Sequence, residues 1–511
     1  MSNPTLNDRS LGWLRFLWDK ATTPDDWSDQ GEPHVWWDRY SQPPMCAFPR
    51  FDLAETGYVL PVMCEATPAW REVYVRIADE LIRRYVSFWG AVDWCTLIGP
   101  DPYVDRYPPE WLAVVPESMR GRYAMPGWTA NGVEPWGLQP DPVGADGNLF
   151  YRGWLNLLLG IRRYISGEAR EHEPFEVTGY RNRQFTWTHA RMARYLSAQF
   201  AARPQGPHCE NTKIWPFCCS AATLGLQLYD GLVGEDTHAP VPDWIDYVRR
   251  HYTAETADGE LDWFALYYDP MIAEAMILPG PVSAYSALTV LHYLQPQDRA
   301  WTERLYGQAV RRLGWSDPTI PVTQLADDPQ MLSTAYWMAR EVGDDVTEAR
   351  LREVVETTMS PRFFGAENDR FGFFYGHDEP WPRGQLSATL MLTECGGPGA
   401  CARVFTAPNT AMHTEPTLTG VDYPRLAIRG ARYDPARAVL DIDTAAGSPS
   451  SRGQVTTVTV EQLHDPAAVT VTVDGHRCDR WRVTAPDALS IDIDIDTHHV
   501  EVATTTHRSR P

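Results

Sequence analysis

Phe150-Tyr151-Arg152-Gly153-Trp154-Leu155-Asn156-Leu157-Leu158-Leu159-Gly160-Ile161-Arg162-Arg163-Tyr164-Ile165 is the stretch on which the fold turns. Its apolar residues recur at helical spacing. The same spacing returns over residues 69–89, 185–202, 216–232, 244–252, 281–294, 302–313 and 344–358. Connectors rich in Pro, Gly and Asp, such as 99–109 and 139–147, separate these runs. Many helices joined by polar loops predict an α/α toroid or another helical array. There is no exact repeat of fixed period, so a regular solenoid is not supported.

Beyond about residue 407 the period changes. Short alternating runs occupy 425–429, 438–442, 454–460, 469–473, 489–493 and 499–502, and Asp474-Gly475 is a hairpin-type turn. These runs predict a small β-sandwich. The expected division is a mainly α domain over 1–405 and a β-rich domain over 406–511, with residues 504–511 as a frayed tail.

A chain of 511 residues can bury a large core. Its formal charge of −22 opposes phosphate backbones, so a nucleic-acid partner is not expected. No basic patch precedes an apolar run in the first twenty or so positions, and no apolar run is long enough to span a bilayer. The nine cysteines include no metal-type CxxC pair, which fits a reduced, cytoplasmic protein without a metal centre. Cys64–Cys95 and Cys395–Cys401 remain conceivable disulfides. Lysine occurs only at Lys20 and Lys213. A homo-oligomer is compatible with the sequence.

Two segments could carry chemistry. In Asp52-Leu53-Ala54-Glu55-Thr56-Gly57-Tyr58, the plain reading makes Asp52 and Glu55 a capping box opening the helix that follows. The functional reading uses Asp52 as an acid, its carboxyl kept protonated by an apolar pocket. In Cys209-Glu210-Asn211-Thr212-Lys213-Ile214-Trp215-Pro216-Phe217-Cys218, Pro216 suits a first helical turn, placing Cys218 near a positive helix end. The plain reading makes both cysteines small buried hydrophobes. His208 could polarise the Cys209 thiol or be an ordinary loop histidine. Phe150, Tyr151, Trp154, Trp215, Tyr267 and Tyr268 are candidates for an aromatic cavity that steadies a carbocation.

These segments, with Asn148-Leu149-Phe150-Tyr151-Arg152-Gly153-Trp154 and Trp381-Pro382-Arg383-Gly384-Gln385, resemble the linalool dehydratase/isomerase family. The resemblance implies an (α/α)6 barrel and a cofactor-independent enzyme. It implies a small hydrophobic isoprenoid alcohol as substrate, dehydrated or isomerised through an allylic cation. Asp52 matches the family's acid, Tyr58 its hydroxyl-binding tyrosine, and Cys209 and Cys218 its two active-site thiols. In that mechanism Asp52 protonates the hydroxyl held by Tyr58, water leaves, and a thiolate or water removes the neighbouring proton. Phe150, Trp154, Trp215 and one of Tyr267 and Tyr268 would line the substrate. One departure stands out: Gly153-Trp154 replaces the family's glycine-histidine step. Three other readings stay open. One is a terpene cyclase on the same scaffold, in which Lys213 meets a diphosphate. Another is a carbohydrate-active toroid enzyme, which needs a second carboxylate facing Asp52, with Asp38 and Glu55 nearest in sequence. The last is a non-catalytic relative.

Overall fold

The computed structural model describes residues 4–28, 30–31, 33–37, 49–91, 133–134, 137–179, 182–209, 213–270, 273–324, 329–374, 380–382 and 384–504. The 99–109 connector, Asp38, Cys95, Glu210, Asn211, Thr212, Arg383 and the 505–511 tail lie outside them. The principal helices are α1 (Asp8–Thr22), α2 (Pro49–Cys64), α3 (Glu72–Tyr85), α4 (Leu149–Ser166), α5 (His189–Ala202), α6 (Pro216–Val233), α7 (Val241–Tyr247), α8 (Ser283–Leu294), α9 (Arg299–Arg312), α10 (Pro329–Val342), α11 (Asp345–Thr358), α12 (Gly384–Cys395) and α13 (Ala400–Thr406).

Local chemistry explains several boundaries. Asn7 caps α1 by accepting from the Ser10 amide. Pro216 opens α6, and Gly234 closes it at φ 81°, a left-handed turn in which glycine carries no Cβ penalty. The α2 start departs from the sequence expectation. The helix begins at Pro49, so Asp52 and Glu55 lie inside it and form no capping box. Proline is favoured at a first helical position, and the helix starts four residues upstream of the Leu53 start that a cap at Asp52 implies.

The helices sort into two kinds. In α4 nearly every side chain is buried, whereas α11 buries one stripe, Thr347, Glu348, Leu351, Val354 and Val355. That stripe is the i, i+4, i+7 face of an outer helix, and each fully buried Leu or Val contributes about 1.5–3 kcal/mol. Helices α2, α4, α6, α8, α10 and α12 touch in a closed circuit: α2 on α4, α4 on α6, α6 on α8, α8 on α10, α10 on α12, and α12 back on α2. Short hairpins interrupt the helices. One, Phe175–Thr178 with Gln184–Trp187, occupies the start of the expected 185–202 helix. The helix itself begins at His189.

The C-terminal part forms two antiparallel sheets. Thr417–Thr419, Val455–Glu461, Ala488–Asp494 and Trp481–Ala485 build one in that order. Leu426–Asp434, Val439–Ala446, His499–Ala503, Thr470–Val473 and His476–Arg477 build the other. Asp474 and Gly475, at φ 51° and 76°, link Val473 to its partner His476 in the two-residue turn expected there. The helical and β parts share backbone hydrogen bonds. The Ala69 amide donates to the Ala431 carbonyl, the Leu418 amide to the Ala69 carbonyl, and the Leu6 amide to the Arg429 carbonyl. Arg71 adds bonds to the Met412 carbonyl at 2.6 Å and Thr417 Oγ1 at 3.3 Å.

No described helix is long and apolar enough to cross a membrane. Cys395 and Cys401 are free thiols, as is Cys64. The Cys395–Cys401 disulfide is therefore not formed.

Candidate active site

Five helices of the closed circuit send aromatic rings to one place. Tyr58 of α2 stands edge-on to Trp154 of α4, with ring centres 6.4 Å apart. Trp154 meets Tyr293 of α8 at 5.1 Å, Phe150 at 5.7 Å and Phe217 of α6 at 6.4 Å. Tyr58 also contacts Tyr293, at 5.3 Å, and Trp337 of α10, at 6.1 Å. Phe405 of α13 stacks on Tyr58 at 5.5 Å. Such rings present negative faces that attract a cation. The Trp154 indole is fully buried, and its Nε1–H has no acceptor among the described residues.

A carboxyl group is hydrogen-bonded to this set. Glu55, 7% exposed, accepts a hydrogen bond from the Tyr293 hydroxyl at 3.1 Å. Burial raises its pKa from 4.5 to about 8, the Tyr293 bond offsetting only part of the rise. Glu55 precedes Tyr58 by three residues on α2, so the two share a helix face. Tyr293 is itself raised well above the usual phenol range, by burial and by the neighbouring Glu55, Tyr58 and Cys218. Burial lowers His292, packed 3.7 Å from Tyr293, to about 3, which keeps it neutral.

Asp52 lies elsewhere. Its carboxylate is paired with Lys20 Nζ, both side chains being 0% exposed, and accepts from Thr56 Oγ1 at 3.1 Å. A Cβ on Gly384 would overlap that carboxylate, so glycine is what lets the start of α12 approach it. This contact explains why the 381–385 block and the 52–58 block go together. Asp52 and Tyr58, six residues apart, leave α2 toward different neighbours. The Tyr58 hydroxyl meets Cys401 Sγ at 3.2 Å and the His292 carbonyl at 3.3 Å, so its ring, rather than its oxygen, joins the aromatic set.

The two thiols sit at helix starts. Cys209 Sγ accepts from the Phe150 amide in the first turn of α4 at 3.2 Å, and Cys218 is the third residue of α6. Cys218 borders the aromatic set through Tyr293. The strand Leu261–Asp269 holds the segment between the cysteines. Ile214 pairs with Tyr268, Trp215 packs on Tyr267 at 4.8 Å, and Lys213 bonds Asp269 at 3.0 Å with both side chains 0% exposed. Lys213 is thus engaged by a carboxylate, which leaves the diphosphate reading without its cation. Tyr268 turns toward Tyr252, at 5.9 Å, and His208 toward Asp146, at 3.4 Å. Tyr151 stacks on Tyr85 at 4.9 Å.

The structure therefore brings Tyr58, Phe150, Trp154 and Cys218 together, and separates Trp215, Tyr267 and Tyr268 as a packing layer on the cysteine segment. The sequence reading missed Tyr293, Phe217 and the central place of Glu55. The signal for Glu55 was present: in residues 52–58 it is the acid that shares a helical face with Tyr58.

Residues 128–368 match the linalool dehydratase/isomerase family. The matched span holds Trp154, both cysteines and Tyr293, and ends short of Trp381; Asp52, Glu55 and Tyr58 precede it. The resemblance to linalool dehydratase/isomerase read from the sequence is thereby borne out, and it indicates an enzyme. Two solved structures are also similar. One is a GH127 β-L-arabinofuranosidase from Geobacillus stearothermophilus T6, 13% identical, covering 99% of this chain and 82% of that one, with a TM-score of 0.27. The other is a GH127 β-arabinofuranosidase, 11% identical, covering 96% and 74%, with a TM-score of 0.23. Superpositions this loose say nothing about the fold or the chemistry.

Proposed function

We propose that the protein dehydrates or isomerises an isoprenoid allylic alcohol by acid–base chemistry through a carbocation, without a cofactor. The observation that carries this is the aromatic set of Tyr58, Phe150, Trp154, Phe217 and Tyr293 around one neutral buried carboxyl. Ring faces steady an allylic cation, and a protonated carboxyl can release water from an alcohol. Cys218 at the edge of the set is a candidate base, and the thiols act by hydrogen bonding if they do not take the proton. The scaffold would be an (α/α)6 barrel, a reading supported by the closed circuit of six helices, followed by a β-sandwich made of the two C-terminal sheets.

Trp154 shapes substrate choice in this reading. Indole fills more space than imidazole and accepts no proton at neutral pH. Its buried N–H offers the alcohol oxygen a donor. The carbohydrate reading gains nothing from the geometry: Asp52 is paired with Lys20, and Glu55 faces Tyr293 rather than Asp52. The test is product analysis by gas chromatography on isoprenoid alcohols from hemiterpenoid to diterpenoid length. Diene or rearranged alcohol from one chain length supports the reading, and an unchanged panel refutes it.

A further inference from the structure

Resting on that reading, we propose that Glu55 is the acid that protonates the departing hydroxyl, and that Asp52 is a positioning residue. The geometry separates the two carboxyls. Asp52 is closed off by a buried ammonium, a threonine hydroxyl and the start of α12. Its two oxygens are thus taken up by Lys20, Thr56 and the backbone at Gly384, which leaves no room beside them for a substrate oxygen. Glu55 is bonded to one neutral group, the Tyr293 hydroxyl, and no cation among the described residues acts on it. That hydroxyl belongs to one of the rings that would hold the cation, Tyr293, which packs on Trp154 and Tyr58. The titratable groups around Glu55 and its partner Tyr293 are Tyr58 on its own helix, His292 on α8 and Cys218 on α6, with Cys401 and Glu341 on the far side of Tyr58. Burial keeps the Tyr58 and Tyr293 phenols protonated and the His292 ring neutral, so none of these three opposes a neutral carboxyl.

The step balances without an outside reagent. The Glu55 proton passes to the alcohol oxygen. The C–O bond breaks, its electron pair leaving with water, and an allylic cation remains beside Trp154 and Tyr293. The Glu55 carboxylate, still held by the Tyr293 O–H, then takes a proton from the carbon next to the cation. That C–H electron pair becomes the new double bond, and the acid is restored. Capture of the cation by water at the other allylic carbon, with the released proton returning to Glu55, gives the isomerised alcohol instead. In both routes Asp52 and Lys20 anchor the first turn of α2, which carries Glu55 one turn later.

The experiment compares the full-length wild type with Glu55→Gln and Asp52→Asn by two readouts. Glutamine keeps the size of the side chain and an acceptor for Tyr293. The first readout is turnover on the isoprenoid alcohol panel. Glu55→Gln should lose about 100-fold or more in kcat with little change in KM, within the range for removing a general acid. Folded Asp52→Asn should keep more activity than Glu55→Gln. The second readout needs no substrate. The infrared difference spectrum of wild type against Glu55→Gln at pH 7 should contain the carbonyl band of a protonated carboxylic acid, which disappears as pH rises past about 8. Absence of that band overturns the proposal, as does Glu55→Gln retaining more than about a tenth of wild-type turnover. If the wild type leaves every alcohol unchanged, the dehydratase reading fails, and the infrared band alone then decides whether Glu55 is a neutral buried acid.

Discussion

Replacing Glu55 by glutamine should change how stability depends on pH. In the native state Glu55 keeps its proton up to about pH 8, whereas an unfolded chain releases it near 4.5. Between those values the native state binds one more proton than the unfolded state, so stability falls as pH rises. Below the window both states are protonated and above it both are ionised, so the slope vanishes at either end. Each pH step inside the window costs about 1.4 kcal/mol, giving roughly 3–5 kcal/mol across it. Unfolding entropy of about 2 cal/mol/K per residue over 511 residues converts this to about 3–5 °C in Tm. Glutamine carries no proton to lose and still accepts from Tyr293. The measurement is Tm by circular dichroism for both proteins from about pH 5 to about pH 8.5, in one buffer series. Relative to the wild type, the variant should gain about 3–5 °C on going up that series. A Tm difference constant to within about 1 °C would show that Glu55 ionises at its ordinary value, and the account of the site as built on a neutral acid would fall with it.

Asp52→Asn should destabilise the protein by about 3–5 kcal/mol, because it leaves the Lys20 ammonium buried and unpaired, and a loss under about 1 kcal/mol in urea titration would mean the pair does not hold α2 in place. Gly384→Ala should have a similar effect through the same contact, since a methyl group overlaps the Asp52 carboxylate. A chain ending at residue 405 should aggregate or fail to melt cooperatively, because the Ala69 strand-like bonds and the Arg71 anchor lose their partners; a soluble, cooperatively melting fragment by calorimetry would contradict this. Trp154→His should shift product formation toward small tertiary alcohols such as linalool, and an unchanged product profile would place Trp154 outside the pocket. Cys209 and Cys218, both buried, should react with a thiol reagent far more slowly in native than in denatured protein, and rapid native labelling of either would contradict their placement.

The sequence disclosed the periodic parts of this fold and blurred the junctions. Helix 216–232 was legible almost to the residue because Pro216 and Gly234 mark its ends with backbone chemistry of their own. The Asp474-Gly475 hairpin was legible for the same reason. The 185–202 run was read as one helix because Phe185 and Trp187 match a helical pattern when only four residues alternate. The true helix starts after Thr188, whose hydroxyl accepts from the Arg191 amide. In the site, the family resemblance drew the eye to Asp52. What separates Asp52 from Glu55 is Lys20, thirty-two positions away and brought there by packing of α1, and Tyr293, still more distant. No local pattern encodes which of two acids on a helix meets a cation and which meets a phenol.

The two buried lysines have a practical consequence. Lys20 and Lys213 are the whole lysine complement, and each ammonium is sealed against an aspartate with no solvent exposure. Amine-directed reagents therefore find no side chain to modify on the folded molecule. Acylation at either lysine requires the surrounding helices to open. Residue-resolved acylation rates would then time the opening of two separate regions, the first turn of α2 at Lys20 and the cysteine segment at Lys213. Conventional amine coupling to a surface or dye would have the opposite value: whatever it captures through a lysine has already come apart there.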